Sequence, residues 1–151
     1  MLRIHKSNIL KYKQAHSSDL TKIIELLETY DLPTSDCKDH ISNFIIAENN
    51  NTIVGVGGFE NRGNLGLLRS FAVRQSDKNQ GIAEQIFSLV KAKAKDSGIN
   101  QFYLLTTTAS KYFKRLGFTI CNRDDVPSSI KATKQFSDLC PSSAVVMVLD
   151  L

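Results

Sequence analysis

The chain has 151 residues, 42% of them hydrophobic and 23% charged, with a formal net charge of +4. That length suits one domain with a sizeable core, and the composition is that of a globular protein without low-complexity tracts. Lys and Arg are scattered rather than blocked, which argues against nucleic-acid binding, and no stretch approaches the ~20 apolar residues of a membrane span.

The opening residues Met1–Lys6 lack the apolar core of a signal peptide, so a cytoplasmic location is expected. Cys37, Cys121 and Cys140 are an odd set at wide, irregular spacing, which matches neither a disulfide framework nor a zinc site. His5, His16 and His40 are likewise isolated, and no metal is expected. The mild positive field suits an anionic small ligand such as a phosphorylated cofactor.

In chain order, residues 9–15 read as a first strand. Ser17-Ser18-Asp19 offers helix-capping side chains, and Ile23, Ile24, Leu26, Leu27 and Tyr30 follow at helical spacing until Leu32-Pro33. A polar stretch with a further helical turn leads to residue 42. Residues 44–48 and 52–59 read as strands joined at Asn49-Asn50-Asn51, a hairpin. Residues 65–73 form another strand, and 74–80 a polar loop. A helix over 81–96 has Ile82, Ile86, Phe87, Val90 and Ala94 on its apolar face, and Ser97-Gly98 stops it. The continuous apolar run 102–105 predicts a strand covered on both faces. A short helix over 109–116, a strand at 118–121, a helix over 127–139 and a strand at 144–149 complete the chain. This order predicts a single α/β (α+β) domain over 1–151, a mixed, mostly antiparallel sheet with helices on both faces.

One segment points to chemistry. The strand Leu67-Leu68-Arg69-Ser70-Phe71-Ala72-Val73 runs into a loop, then into a helix whose first turn holds Gly81 and Ala83. A helix start has unpaired amides and the positive end of the dipole, and small residues let a ligand approach the backbone. By itself this also describes an ordinary strand–helix connection. With the later Phe113-x-Arg115-x-Gly117-Phe118, the stretch Lys78-x-x-Gly81-x-Ala83 resembles the GNAT superfamily of N-acetyltransferases over nearly the whole chain.

That resemblance implies acetyl-CoA as cosubstrate. Phe71, Ala72 and Val73 would offer backbone groups to pantetheine, and Lys78, Asn79, Gln80, Gly81, Ile82 and Ala83 would cradle the pyrophosphate. The strands at 65–73 and 101–107 would splay around the cofactor arm. Lys78 stands where Gln or Arg is usual, a point charge rather than a planar fork. Leu104-Leu105-Thr106-Thr107, Phe113 and Val126-Pro127 are similar to the acetyltransferase domain of N-acetylglutamate synthases; Leu139-Cys140-Pro141-x-Ser143-Ala144 and Leu67-Leu68-Arg69-Ser70 bring the chain closer still to small acetyltransferases of arsenic-resistance operons, which it resembles. This implies a small, amino-acid-like amine. The synthases' strand Glu falls near Leu67, and their C-terminal basic residues near Pro141 and Ser143, so glutamate is disfavoured.

Transfer to an amine requires removal of its proton, a donor to the leaving thiolate and an amide for the carbonyl oxygen. Direct transfer through a tetrahedral intermediate, with two reactants held in place, is the expected mechanism. Glu60, at the end of its strand, is the candidate base, set against a reading as a solvated carboxylate. Arg69 could pair a substrate carboxylate or form a structural ion pair. Thr106, Thr107 and Thr108 could line the site or simply end the strand. Phe113 stands where many members have a Tyr acid, and is expected to pack on the thioester arm. Tyr112, about 100° away around the helix, cannot substitute. Cys140 has no activating neighbour. Alternatives left open are a non-catalytic acetyl-CoA-binding module, a protein or peptide acetyltransferase, and a homodimer.

Overall fold

The computed structural model describes residues 10–151, so Ile9 of the first expected strand and the Met1–Lys6 reading lie outside the described residues. The strands are β1 (Leu10–Gln14), β2 (Phe44–Asn49), β3 (Thr52–Arg62), β4 (Leu65–Val73), β5 (Gln101–Thr106), β6 (Thr119–Cys121) and β7 (Val145–Asp150). The helices are α1 (Leu20–Glu28), α2 (Cys37–His40), α3 (Ile82–Asp96), α4 (Ser110–Arg115) and α5 (Ser128–Lys131). Hydrogen-bonded strand order is β1-β2-β3-β4-β5-β7-β6. Of the strand pairs with a described register, only β4–β5 is parallel. A parallel neighbour cannot be reached by a tight turn, and α3 provides the crossover. The mixed, mostly antiparallel sheet with flanking helices is the architecture expected from the sequence. Among the described residues no helix is long and apolar enough to cross a membrane.

The chain divides into two compact units, one comprising the chain up to Gly58 with Ser70–Ala92, the other Phe59–Arg69 with Lys93–Leu151. In the first, Ile23, Leu26 and Leu27 of α1 pack with Cys37, Phe44, Ile46, Ile53 and Val56. The expected Ser17–Asp19 cap takes another form: these residues make a 3-10 turn, and Asp19 Oδ2 reaches back to accept from the His16 amide at 2.8 Å. The β2–β3 hairpin turns on Asn50 and Asn51, at φ 53° and 66°, left-handed conformations that Asn tolerates better than most residues. At Gly57 a Cβ would lie 2.6 Å from the Phe71 ring and 2.8 Å from Ile86, so only glycine admits this approach of side chains to β3.

The second unit centres on Leu67, Tyr103, Val126, Ile130 and Val146. Phe102, Tyr103 and Leu104 of β5 are all buried, as the apolar run predicts. Two elements depart most from expectation. The strand expected to end at residue 59 continues to Arg62, which carries Glu60 inside β3. The helix expected over 127–139 is broken into α5 and a π-helical turn, Gln135–Leu139. Thr133 accounts for the break: its Oγ1 donates to Ile130 O at 2.7 Å and accepts from Phe136 N at 3.2 Å, competing with the backbone ladder.

Candidate active site

The loop after β4 is tightly braced within the first unit. The Arg74 amide donates to Val54 O at 2.7 Å, and Arg74 Nε meets Asp77 Oδ2 at 2.6 Å. Ser76 Oγ donates to the same buried carboxylate at 3.2 Å. Asn79 and Gly81 then take φ 65° and 78°, and α3 begins at Ile82. The Gly81 carbonyl accepts from Gln85 N at 3.0 Å, the first bond of a fifteen-residue helix. Amides in that first turn have no intrahelical acceptor and sit at the positive end of the dipole. A Cβ added at Gly81 would meet nothing within 4 Å, so the backbone there is open to approach. Open backbone at a helix start and the adjacent Lys78 fit a diphosphate. Ile82 divides its roles, its side chain being buried in the core.

Lys78 Nζ lies 4.6 Å from the centroid of the Tyr30 ring. The same tyrosine donates its hydroxyl to Val73 O at 2.8 Å. Sequence reading treated Tyr30 as part of an apolar helix face; the signal available was its hydroxyl, which a half-buried tyrosine normally commits to a partner. Of the residues expected to face pantetheine, Phe71 and Ala72 are half-buried and Val73 is buried with its carbonyl engaged by Tyr30. Ser70, just before them, has φ 60°, a left-handed conformation at which the strand departs from the regular pleat.

In the second unit the parallel ladder joins Leu65–Leu67 to Gln101–Tyr103. Glu60 and Arg69, both proposed for the site from sequence, face each other there. Arg69 NH1 donates to Glu60 Oε1 at 2.8 Å, and the two residues are 4% and 2% exposed. Glu60 is thus no solvated carboxylate at a strand end, and the partner of Arg69 in the structure is a carboxylate of the protein itself. Thr106 ends the strand: its Oγ1 accepts from Ala109 N at 3.0 Å, ahead of α4. Thr107 and Thr108 are exposed just beyond β5. Phe113 is buried edge-on against Phe118, with centroids 5.7 Å apart, and against Tyr112 at 5.3 Å.

Two groups of this unit titrate abnormally high. Burial raises the Tyr103 hydroxyl, with the Cys121 and Asp150 charges adding to it. Burial, then the Asp125 carboxylate, raises the Cys121 thiol. Both shifts favour the protonated form and so give no support to Cys121 as a thiolate nucleophile.

The acetyltransferase (GNAT) domain family matches residues 40–120. The amino-acid acetyltransferases of two Neisseria meningitidis strains are each 24% identical over 135 residues, covering 83% of this chain and 31% of theirs. The chain therefore spans about a third of the length of the curated relatives it matches. Its fold is similar to N-acetylglutamate synthase from Neisseria gonorrhoeae, solved with coenzyme A and N-acetyl-glutamate. The TM-score is 0.81 at 22% identity, over 95% of this chain and 35% of that one. A GNAT-family acetyltransferase from Staphylococcus aureus Mu50 gives a TM-score of 0.78 at 20% identity, over 95% and 99% of the two chains.

Proposed function

Because the chain belongs to the acetyltransferase (GNAT) domain family, we propose that it moves the acetyl group of acetyl-CoA directly onto the primary amine of a small, amino-acid-like molecule in the cytoplasm. The observation that carries this reading is the braced loop ending at Gly81, with its open backbone where α3 begins. Acetyl-CoA supplies an acetyl group activated as a thioester. In the proposal, backbone amides of residues 79–83 hold the diphosphate and Lys78 contributes its charge. Backbone groups of Phe71, Ala72 and Val73 orient the pantetheine arm, and Phe113 excludes water with its apolar face. The amino-acid-like acceptor is supported by the names of the curated relatives and by the N-acetyl-glutamate bound in the gonococcal synthase.

Glu60 is proposed to take the proton from the acceptor ammonium, with Arg69 as the positioning residue that orients its carboxylate through the 2.8 Å contact. The contact is the structural ion pair that the sequence left open for Arg69 beside pairing with a substrate carboxylate. A second reading, a non-catalytic acetyl-CoA-binding module, draws support from the same ion pair, which commits the carboxylate to a protein partner, and from the phenyl ring at Phe113.

Steady-state release of CoA thiol with a panel of amino acids, simple amines and peptides separates these readings. Acceptor-dependent thiol release is expected, strongest on small amino acids. CoA binding in calorimetry without acceptor-dependent release supports the module, and no CoA binding at all removes both. Preference for peptides would redirect the assignment to a peptide acetyltransferase. Glu60→Gln should lower kcat by about 100-fold or more, while the KM for acetyl-CoA holds. Full activity in that variant ends the base assignment.

A further inference from the structure

Tyr30 stands just past the end of α1, and the fold fixes its ring from several sides. Its amide donates to Leu27 O at 3.0 Å, Asp31 then turns the chain at φ 57°, and Leu32 N returns to Leu27 O at 3.1 Å. The half-buried ring packs against the core that α1 builds with β2 and β3. Its hydroxyl donates to Val73 O, at the end of β4, at 2.8 Å. A ring tied at its backbone, its side and its tip has little freedom to turn.

That ring meets Lys78, whose Nζ lies 4.6 Å from the ring centroid, within the distance at which an aromatic face attracts an ammonium. Lys78 itself is exposed. Asp77, beside it in sequence, is engaged by Arg74 at 2.6 Å and by Ser76 at 3.2 Å. Among the described residues Lys78 forms no ion pair, so its charge is not cancelled by a carboxylate. Lysine carries its charge on a flexible four-carbon stem, and a ligand that uses the charge must otherwise order that stem as it binds. The ring supplies that order in advance. An aromatic face engages one side of the ammonium and leaves N–H donors for phosphate oxygens.

One side chain thus touches both the carbonyl of Val73, where the pantetheine arm is placed, and Lys78, where the diphosphate is placed. We propose that Tyr30 is a positioning residue for the cosubstrate, its ring holding the Lys78 ammonium ready for the diphosphate; this rests on the acetyltransferase reading above. The hydroxyl anchors the ring to β4, and the ring itself does the positioning. Phenylalanine can therefore take the role and an aliphatic residue cannot.

The test titrates the full chain with CoA and with 3′-dephospho-CoA in calorimetry at low salt. The variants are Tyr30→Phe, Tyr30→Leu and Tyr30→Met, each alone and combined with Lys78→Met, together with Lys78→Met by itself. All three Tyr30 variants lack the hydroxyl, so differences among them report the ring. Leu and Met should bind CoA about 2- to 10-fold more weakly than Phe, the cost of ordering one long side chain. Lys78→Met should weaken CoA by at least as much, and in its background the three Tyr30 variants should bind alike. Both ligands carry the diphosphate, so the losses should match between them. A difference between Phe and the aliphatic variants that persists without Lys78 assigns Tyr30 to structure alone and overturns the proposal. Unchanged affinity in Lys78→Met, tighter binding in the aliphatic variants, or losses confined to CoA also overturn it. Where an aliphatic variant does not fold, proton NMR of the wild type decides. The Lys78 ε-methylene, identified by its loss in Lys78→Met, should be shifted upfield by the ring current with CoA bound as without it. An ordinary lysine position with CoA bound overturns the proposal. In all these cases CoA binding by the wild type leaves the acetyltransferase reading standing; a wild type that binds no CoA overturns that reading, and this proposal with it.

Discussion

The Glu60–Arg69 pair offers a quantitative check, because its side chains are 2% and 1% exposed and meet at 2.8 Å. Removing one partner leaves a charge buried without compensation, which costs about 3–5 kcal/mol; replacing both by apolar residues of similar volume is close to neutral. Glu60→Leu and Arg69→Met should thus each be strongly destabilising, and the double variant much less so than their sum. For a chain of this size, 1 kcal/mol corresponds to roughly 2–4 °C, so each single variant should lose roughly 6–20 °C in Tm. Urea unfolding of the four proteins gives the coupling energy directly. The Lys13–Glu48 pair at 3.3 Å, with the lysine side chain 46% exposed, provides an internal control, since an exposed pair is worth only about 0.2–1 kcal/mol. Additive single effects below about 1 kcal/mol at Glu60 and Arg69 would show that the pair carries no weight, and the positioning role of Arg69 would go with it. Recovered stability without recovered turnover in the double variant is the outcome expected of a catalytic Glu60.

Further expectations concern the first unit. Gly58→Ala would drive a methyl into the buried Phe44 ring and should cost about 1–3 kcal/mol in urea unfolding. Tyr30→Phe keeps the ring beneath Lys78 but deletes the hydroxyl bond to Val73 O, so a loss of about 0.5–1.5 kcal/mol is expected by thermal or chemical unfolding. Gly81→Ala has room for its methyl but not the backbone freedom for φ 78°; a loss of about 1–2 kcal/mol should accompany a higher KM for acetyl-CoA, with the acceptor KM unchanged.

Local pattern was enough to locate most of this fold. The apolar run 102–105, the Asn turn between β2 and β3, and the strand–loop–helix passage through Gly81 are decided by neighbours in sequence, through burial period and turn conformation. The start of α3 after Gly81 was legible for the same reason, since a helix start with small residues needs no distant partner. Tertiary structure alone decided the rest. Glu60 and Arg69 lie nine residues apart, and they pair because β3 runs on to Arg62 and the chain turns at Gly63, φ 78°, where Gly63 N donates to Asn61 Oδ1 at 3.1 Å. Lys78 reaches Tyr30, and Tyr30 reaches Val73, across more than forty residues. The break at Thr133 depends on a hydroxyl competing with the helix ladder. Register, burial and side-chain competition are set by the packed whole, so a one-dimensional pattern cannot report them.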